Sequence, residues 1–112
     1  NEKHFCIFDE LYSGTNPYEA ISSAYSYLKY MNQFKNVKYM LTTHYIKLCK
    51  LFNEDKDTRN FNMQAIIEDK QPIYSYKMTR GISSIKGGIC VLRELKYPKI
   101  IIQNTEKILK KL

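Results

Sequence analysis

The chain has 112 residues, with 18 Lys and Arg against 11 Asp and Glu, a formal net charge of +7 and 44% hydrophobic content. That is enough for one small domain with a modest core. No apolar run approaches the roughly 20 residues of a membrane span, and Cys6, Cys49 and Cys90, odd in number and far apart, show no zinc-ligand spacing. The composition therefore disfavours a membrane protein, a zinc module and a disulfide scaffold, and predicts reduced, buried thiols in an intracellular protein. The positive balance suits polyanionic partners such as nucleic acid, and it equally suits a lysine-rich, solvated surface.

In chain order, the consecutive apolar residues Phe5 to Phe8 predict that residues 4 to 9 form a parallel strand buried on both faces. The chain begins within four residues of that strand and without an initiator Met, so a piece of a larger protein is expected. Residues 11 to 16 read as a loop. A helix follows, with Asn16 as cap, Pro17 at the first position and Glu19 completing a capping-box-like pattern. Ile21, Ala24, Leu28 and Met31 recur at helical spacing, and the helix is expected to end near Phe34. Val37 to Thr43 is the next strand, which makes a strand, helix, strand unit with a parallel crossover. Tyr45 to Phe52 reads as a short helix, and Asn53 to Arg59 as a charged turn. Phe61 to Ile67 and Ile73 to Met78 read as an antiparallel hairpin around the turn Glu68 to Pro72. Gly81 to Gly88 is a Gly/Ser-rich loop, and Ile89 to Leu95 suggests a short helix. Pro98 opens a last helix with Ile101, Thr105, Ile108 and Leu112 on one stripe. Such a stripe serves either the domain core or a partner.

The residues with chemistry cluster at strand ends. Asp9 and Glu10 close the first strand, at the carboxyl end where open α/β sheets bind ligands. An Asp there suits Mg²⁺ held through water, and the following Glu suits activation of an attacking water, the pattern of a Walker B strand in a nucleotide hydrolase. His44 ends the second strand on the same rim, placed to donate to a terminal phosphate. Between them, Ser13, Gly14, Thr15 and Asn16 offer a tight turn and hydrogen-bonding side chains. A Gly-Lys-Ser/Thr phosphate loop is absent from these residues. Gly81 to Gly88 lacks that ending, although Arg80 and Lys86 add positive charge beside it.

Together these segments resemble the C-terminal part of the MutS family ATPase domain, from the Walker B strand onward and over nearly the whole chain. The resemblance rests on Asp9-Glu10 with Gly14-Thr15 and Tyr18, on Thr43-His44-Tyr45, and on Asn60-Phe61-Asn62-Met63-Gln64-Ala65. It continues through Gly81-Ile82-Ser83-Ser84, Gly88-Ile89, Val91 and Pro98. Tyr12-Ser13 and Ile85-Lys86-Gly87 depart from the family's usual Gly-Arg and Lys-Ser-Tyr.

The resemblance implies an α/β fold: a partial P-loop NTPase sheet of the ABC type, with parallel strands, a late antiparallel hairpin and two C-terminal helices. Residues 1–80 would belong to the ATPase domain and residues 81–112 to a dimerisation region. It implies ATP and Mg²⁺ as cofactors, with Asp9 supporting Mg²⁺ through water, Glu10 activating water and His44 sensing the γ-phosphate. The loop Ser13 to Asn16 would approach a partner subunit in a homo- or heterodimer of MutS-like subunits. Double-stranded DNA would be read by upstream domains, and a Gly-Lys-Ser/Thr loop would lie upstream. The other reading is a non-enzymatic dimerisation module of a degenerate relative. A transporter-type or recombination ATPase is disfavoured by the segment from Gly81 to Pro98.

Overall fold

In the computed structural model, residues 2–84 and 88–112 are described; the departure at Ile85-Lys86-Gly87, with the charge of Lys86, lies outside the described residues. The chain divides into two compact units, Asn1–Phe61 with Arg80–Ile82, and Asn62–Thr79 with Ser83–Leu112.

The first unit is built on two strands, β1 (His4–Asp9) and β2 (Val37–Thr42), joined by helix α1 (Pro17–Met31) and followed by helix α2 (Ile46–Leu51). β1 and β2 pair in parallel, with His4 opposite Val37 and Asp9 opposite Thr42. Helix α1 starts where the sequence predicts: Asn16 Oδ1 accepts from the backbone N–H of Tyr18 at 2.9 Å and of Glu19 at 3.4 Å, and Pro17 takes the first turn. It stops at Met31, three residues before the expected end, because Asn32, Gln33 and Phe34 tighten into turns.

Ala24 and Leu28 from α1 and Leu48 and Phe52 from α2 form the core. Phe8, Tyr39 and Leu41 of the strands pack against it. The face carrying Cys6 and Phe8 is thus covered, and the prediction of a strand buried on both faces is corrected. Phe5 and Ile7 are exposed, Ile7 by 73%, beside Lys38 and Met40 of β2. Successive side chains of a strand alternate faces. Both helices of this unit pack on one face, so the odd-numbered residues of β1 stay uncovered within it. All three cysteines are free, but only Cys90 is buried; Cys6 and Cys49 are half-buried.

The second unit holds the hairpin of β3 (Phe61–Glu68) and β4 (Gln71–Arg80) except for its end residues Phe61 and Arg80, which belong to the first unit, then α3 (Gly88–Glu94) and α4 (Lys99–Leu109). The turn is shorter than the predicted Glu68 to Pro72. Only Asp69 and Lys70 connect the strands, at φ 51° and 63°. Two successive left-handed residues match the type I′ turn, whose twist suits a two-residue hairpin. Pro72 falls inside β4, tolerable because a two-stranded sheet leaves half of its backbone donors unpaired. Tyr76, also in β4, has φ 58°, a left-handed residue within the longer strand.

α3 closes with a left-handed Lys96 at φ 57°. The N–H of Tyr97 donates to Leu92 O and that of Lys96 to Arg93 O, which is a Schellman ending made without glycine. Arg93 and Glu106 form an ion pair that ties α3 to α4. The stripe predicted on α4 is displaced by one position. Ile102, Thr105, Glu106 and Leu109 form its more buried side, whereas Ile101, Ile108 and Leu112 are exposed.

Candidate functional site

The site is a rim at the carboxyl ends of β1 and β2. Parallel pairing in register sets Asp9 beside Thr42, and the Thr42 hydroxyl donates to Asp9 Oδ1 at 2.5 Å. Immediately after β1, the Glu10 N–H donates to the backbone oxygen of Thr42 at 2.9 Å and lies 3.2 Å from its hydroxyl. Those contacts hold Glu10 in the left-handed region, at φ 52°. A non-glycine residue costs of order 1 kcal/mol there, and such strain concentrates at functional sites. From this backbone the Glu10 carboxylate meets His44, with Oε1 2.7 Å from Nε2. Both side chains are open to solvent, His44 almost fully.

The rim therefore brings together Asp9, Glu10 and His44 of the sequence-predicted set. Thr42, to which the sequence alone assigned no role, joins them by fixing both acids. A hydroxyl residue near the end of the second strand is visible in the sequence, but its register with Asp9 comes only from the pairing of the two strands.

The loop residues behave differently. Ser13 N–H donates to Glu10 O at 3.1 Å, closing a turn directly after the strained residue. Asn16 spends its side-chain oxygen on the cap of α1. Thr15 lies at a long 3.5 Å from Glu19 Oε2. The tight backbone expected at Gly14 is found instead at Glu10 and Tyr12, with φ 52° and 63°. A side chain at Gly14 would meet nothing within 4 Å. All four loop residues are exposed and remain open to a partner or ligand.

As a cation site the rim offers hard oxygen donors, the Asp9 carboxylate above all, in an open position with room for retained water. That chemistry fits Mg²⁺ held through its hydration shell. For a nucleotide the fit is one-sided: the rim carries acids and a histidine, and the chain has no Gly-Lys-Ser/Thr loop to cradle phosphates.

Away from the rim, the loop after α2 is organised by Asp55. Its Oδ1 accepts from the N–H of Asp57 at 2.8 Å and of Thr58 at 3.1 Å, and its Oδ2 pairs with Lys29 Nζ at 2.8 Å. The hydrogen bond from Lys29 draws the Asp55 carboxyl below the usual carboxylate range and in turn raises the Lys29 ammonium. The Thr58 hydroxyl bonds Asn32 Nδ2 at 2.9 Å and Tyr39 Oη at 2.7 Å. Burial pushes the Tyr39 phenol and the Cys49 thiol up, so the thiol is held in its unreactive form.

Domain V of the MutS family matches the whole chain, residues 1–112. The DNA mismatch repair protein MutS of Bacteroides fragilis (strain YCH46) is 31% identical over 114 residues, covering 100% of this chain and 13% of that protein. The protein of the same description from Caldicellulosiruptor saccharolyticus is 32% identical over 112 residues, 98% of this chain and 13% of its own length. That from Fusobacterium nucleatum is 31% identical over 110 residues, 98% and 12%. The chain thus spans about 13% of the length of these curated relatives.

Proposed function

This chain belongs to the MutS family, and from that membership we propose that it supplies the Walker B half of an ATP site in a DNA mismatch repair ATPase. The observation that carries the reading is the contact of Glu10 with His44, made from a strained backbone at the carboxyl rim of a parallel strand pair. The relatives' name, DNA mismatch repair protein, supports the biological role.

In this reading Asp9, oriented by Thr42, holds Mg²⁺ through water. Bound Mg²⁺ supplies neutralising charge on the phosphates. Glu10 takes the proton of the attacking water at Oε1 or Oε2. His44 Nε2 sits on one of those oxygens, so its N–H orients the carboxylate and leaves the second oxygen to face water. Being exposed, His44 is free to turn from Glu10 toward a terminal phosphate and back. One histidine thereby couples phosphate presence to the orientation of the base. The loop Ser13 to Asn16 faces the partner of a dimer, residues 81–112 serve dimerisation, and double-stranded DNA is read by other domains of the whole protein. The phosphate-cradling loop is supplied from outside this chain.

The test is Glu10→Gln in the full-length protein. ATP binding is retained and turnover falls by about a hundredfold or more, the usual scale for loss of a general base. Undiminished hydrolysis removes Glu10 from this role.

The second reading, a dimerisation module without catalysis, draws on the exposed Val91, Leu95, Ile101 and Ile108 of α3, α4 and their junction. It predicts no ATP turnover in the full-length protein even before substitution.

A further inference from the structure

We propose that the first unit carries a second anion site, a cavity that binds phosphate groups and is separate from the Asp9–Glu10 rim. The cavity, of about 350 Å³, is lined mostly by polar and charged residues, among them Asp55, Lys56, Arg59, Asn60 and Arg80, with Phe52 and Gly81 beside them. Its volume lies in the ordinary range for small-ligand pockets, roughly 300–1,000 Å³. Unlike most such pockets it is not apolar, so its chemistry suits a hydrophilic ligand.

Charge gives the ligand its sign. Lys56, Arg59 and Arg80, each exposed to solvent, bring three cations to one half-open cavity. Among the described residues none of the three has a carboxylate within ion-pair distance; the ion pairs found are those of Lys29, His44 and Arg93. The one acid in the lining, Asp55, is already committed. One oxygen takes two backbone N–H groups and the other takes Lys29, which does not line the cavity. Glu54 and Asp57, the neighbouring acids of the loop, do not line it either. Exposed cations repel one another only weakly in water, and an anion entering between them gains from all three.

The frame around these cations is built by contacts distant in sequence. Asn60 Nδ2 donates to Cys49 O at 2.7 Å, and the N–H of Gly81 donates to Asn60 O at 2.9 Å, so Arg59 and Arg80 are held on adjacent backbones. Gly81 has φ 108°, a conformation that a side chain would strain. Two guanidinium forks with one ammonium match the tetrahedral, multiply charged oxygens of phosphate better than they match a single carboxylate.

The place is distinct from the rim. The lining loop is fastened to the last turn of α1 by Lys29–Asp55 and by Asn32–Thr58. The rim lies at the other end of α1, where Asn16 caps its start. A phosphate reaches this cavity either as a free ion or as a phosphodiester of a nucleic acid strand, and the chain's net charge of +7 assists both.

The experiment follows amide shifts of the protein during titration at constant ionic strength, first with inorganic pyrophosphate and then with a short DNA duplex. Saturable shifts centred on Asn60 and Gly81 are expected. Arg59→Gln with Arg80→Gln weakens binding by about tenfold per arginine, the scale of a charge-assisted hydrogen bond. Lys110→Gln with Lys111→Gln, which removes the same charge elsewhere, leaves the affinity within about twofold. Should the glutamine pair lose its folded spectrum, Arg59→Lys with Arg80→Lys keeps the charge but not the fork, and binding is expected to weaken less. Pyrophosphate binding alone assigns the site to free phosphates; the same shifts with duplex assign it to the nucleic acid backbone. Non-saturable shifts, shifts centred elsewhere, or equal weakening by the lysine control overturn the proposal.

Discussion

In the first unit Ala24, Leu28, Leu48 and Phe52 close on one another with at most 3% exposure, and Phe8, Tyr39 and Leu41 seal them from the sheet side. In the second unit, among the described residues, one side chain is buried, Cys90, and α4 has none. The hairpin runs opposite to the usual pattern. Its polar residues are the ones engaged, Ser75 with Gln64 and Thr79 with Asn62, whereas Met63, Tyr74, Met78 and Tyr76 (86% exposed) face solvent. Burial of apolar area is the main stabilising term, about 25 cal/mol per Å². The first unit therefore has a core that holds its rim in place. The described residues of the second unit carry backbone bonds, caps and the Arg93–Glu106 ion pair, with much apolar surface left open.

This contrast can be broken most directly at Leu28, the largest fully buried side chain. Leu28→Ala should cost about 2–5 kcal/mol, read from urea unfolding, because a cavity opens between α1 and α2. A loss under about 1 kcal/mol would mean that the first unit has no cooperative core.

A smaller effect distinguishes the polar fastening of the same unit. The Asp55 carboxyl is lowered by the hydrogen bond from Lys29, so its contribution is present above the unfolded Asp value and is lost as pH falls through the lower folded value. Lys29 is raised, so its contribution is present below the unfolded lysine value and lost as pH rises through the folded one. Asp55→Asn should flatten the acid limb of a stability-against-pH curve. An unchanged limb would place the acid sensitivity on other carboxylates.

The smallest effect belongs to the second unit. Ile108→Lys changes an exposed side chain of α4 and should alter monomer stability by no more than about 0.5 kcal/mol. If the open face serves a dimer, sedimentation will show weaker self-association of the full-length protein at unchanged stability. A large stability loss instead would make this face part of a core.

Much of the first unit was legible because its signals are local. Asn16-Pro17 marks the start of α1, and the spacing of Ala24 and Leu28 marks its buried side. β1 and β2 follow from their apolar runs. Which face of β1 is covered was not legible, since consecutive apolar residues such as Phe5, Cys6, Ile7 and Phe8 look alike whether one or both faces are packed. The hairpin turn was placed correctly but drawn too long, because Asp69-Lys70 is not a residue pair that signals two left-handed positions. The stripe of α4 was displaced because Ile100, Ile101 and Ile102 offer three adjacent phases, and tertiary packing chose among them. At the site, the rim residues were found from strand ends. The Thr42 contacts and the cavity of Arg59 and Arg80 were not, because both depend on pairing between segments far apart in sequence.

The left-handed backbone of Glu10 has a consequence for engineering. A search for stabilising substitutions would single out this position and favour glycine or asparagine, which relax the conformation at little cost. Either change deletes the carboxylate that His44 meets. A library ranked by melting temperature alone would thus enrich for chains that fold better and have lost the proposed base, so selection for stability here needs a nucleotide-turnover screen run in parallel.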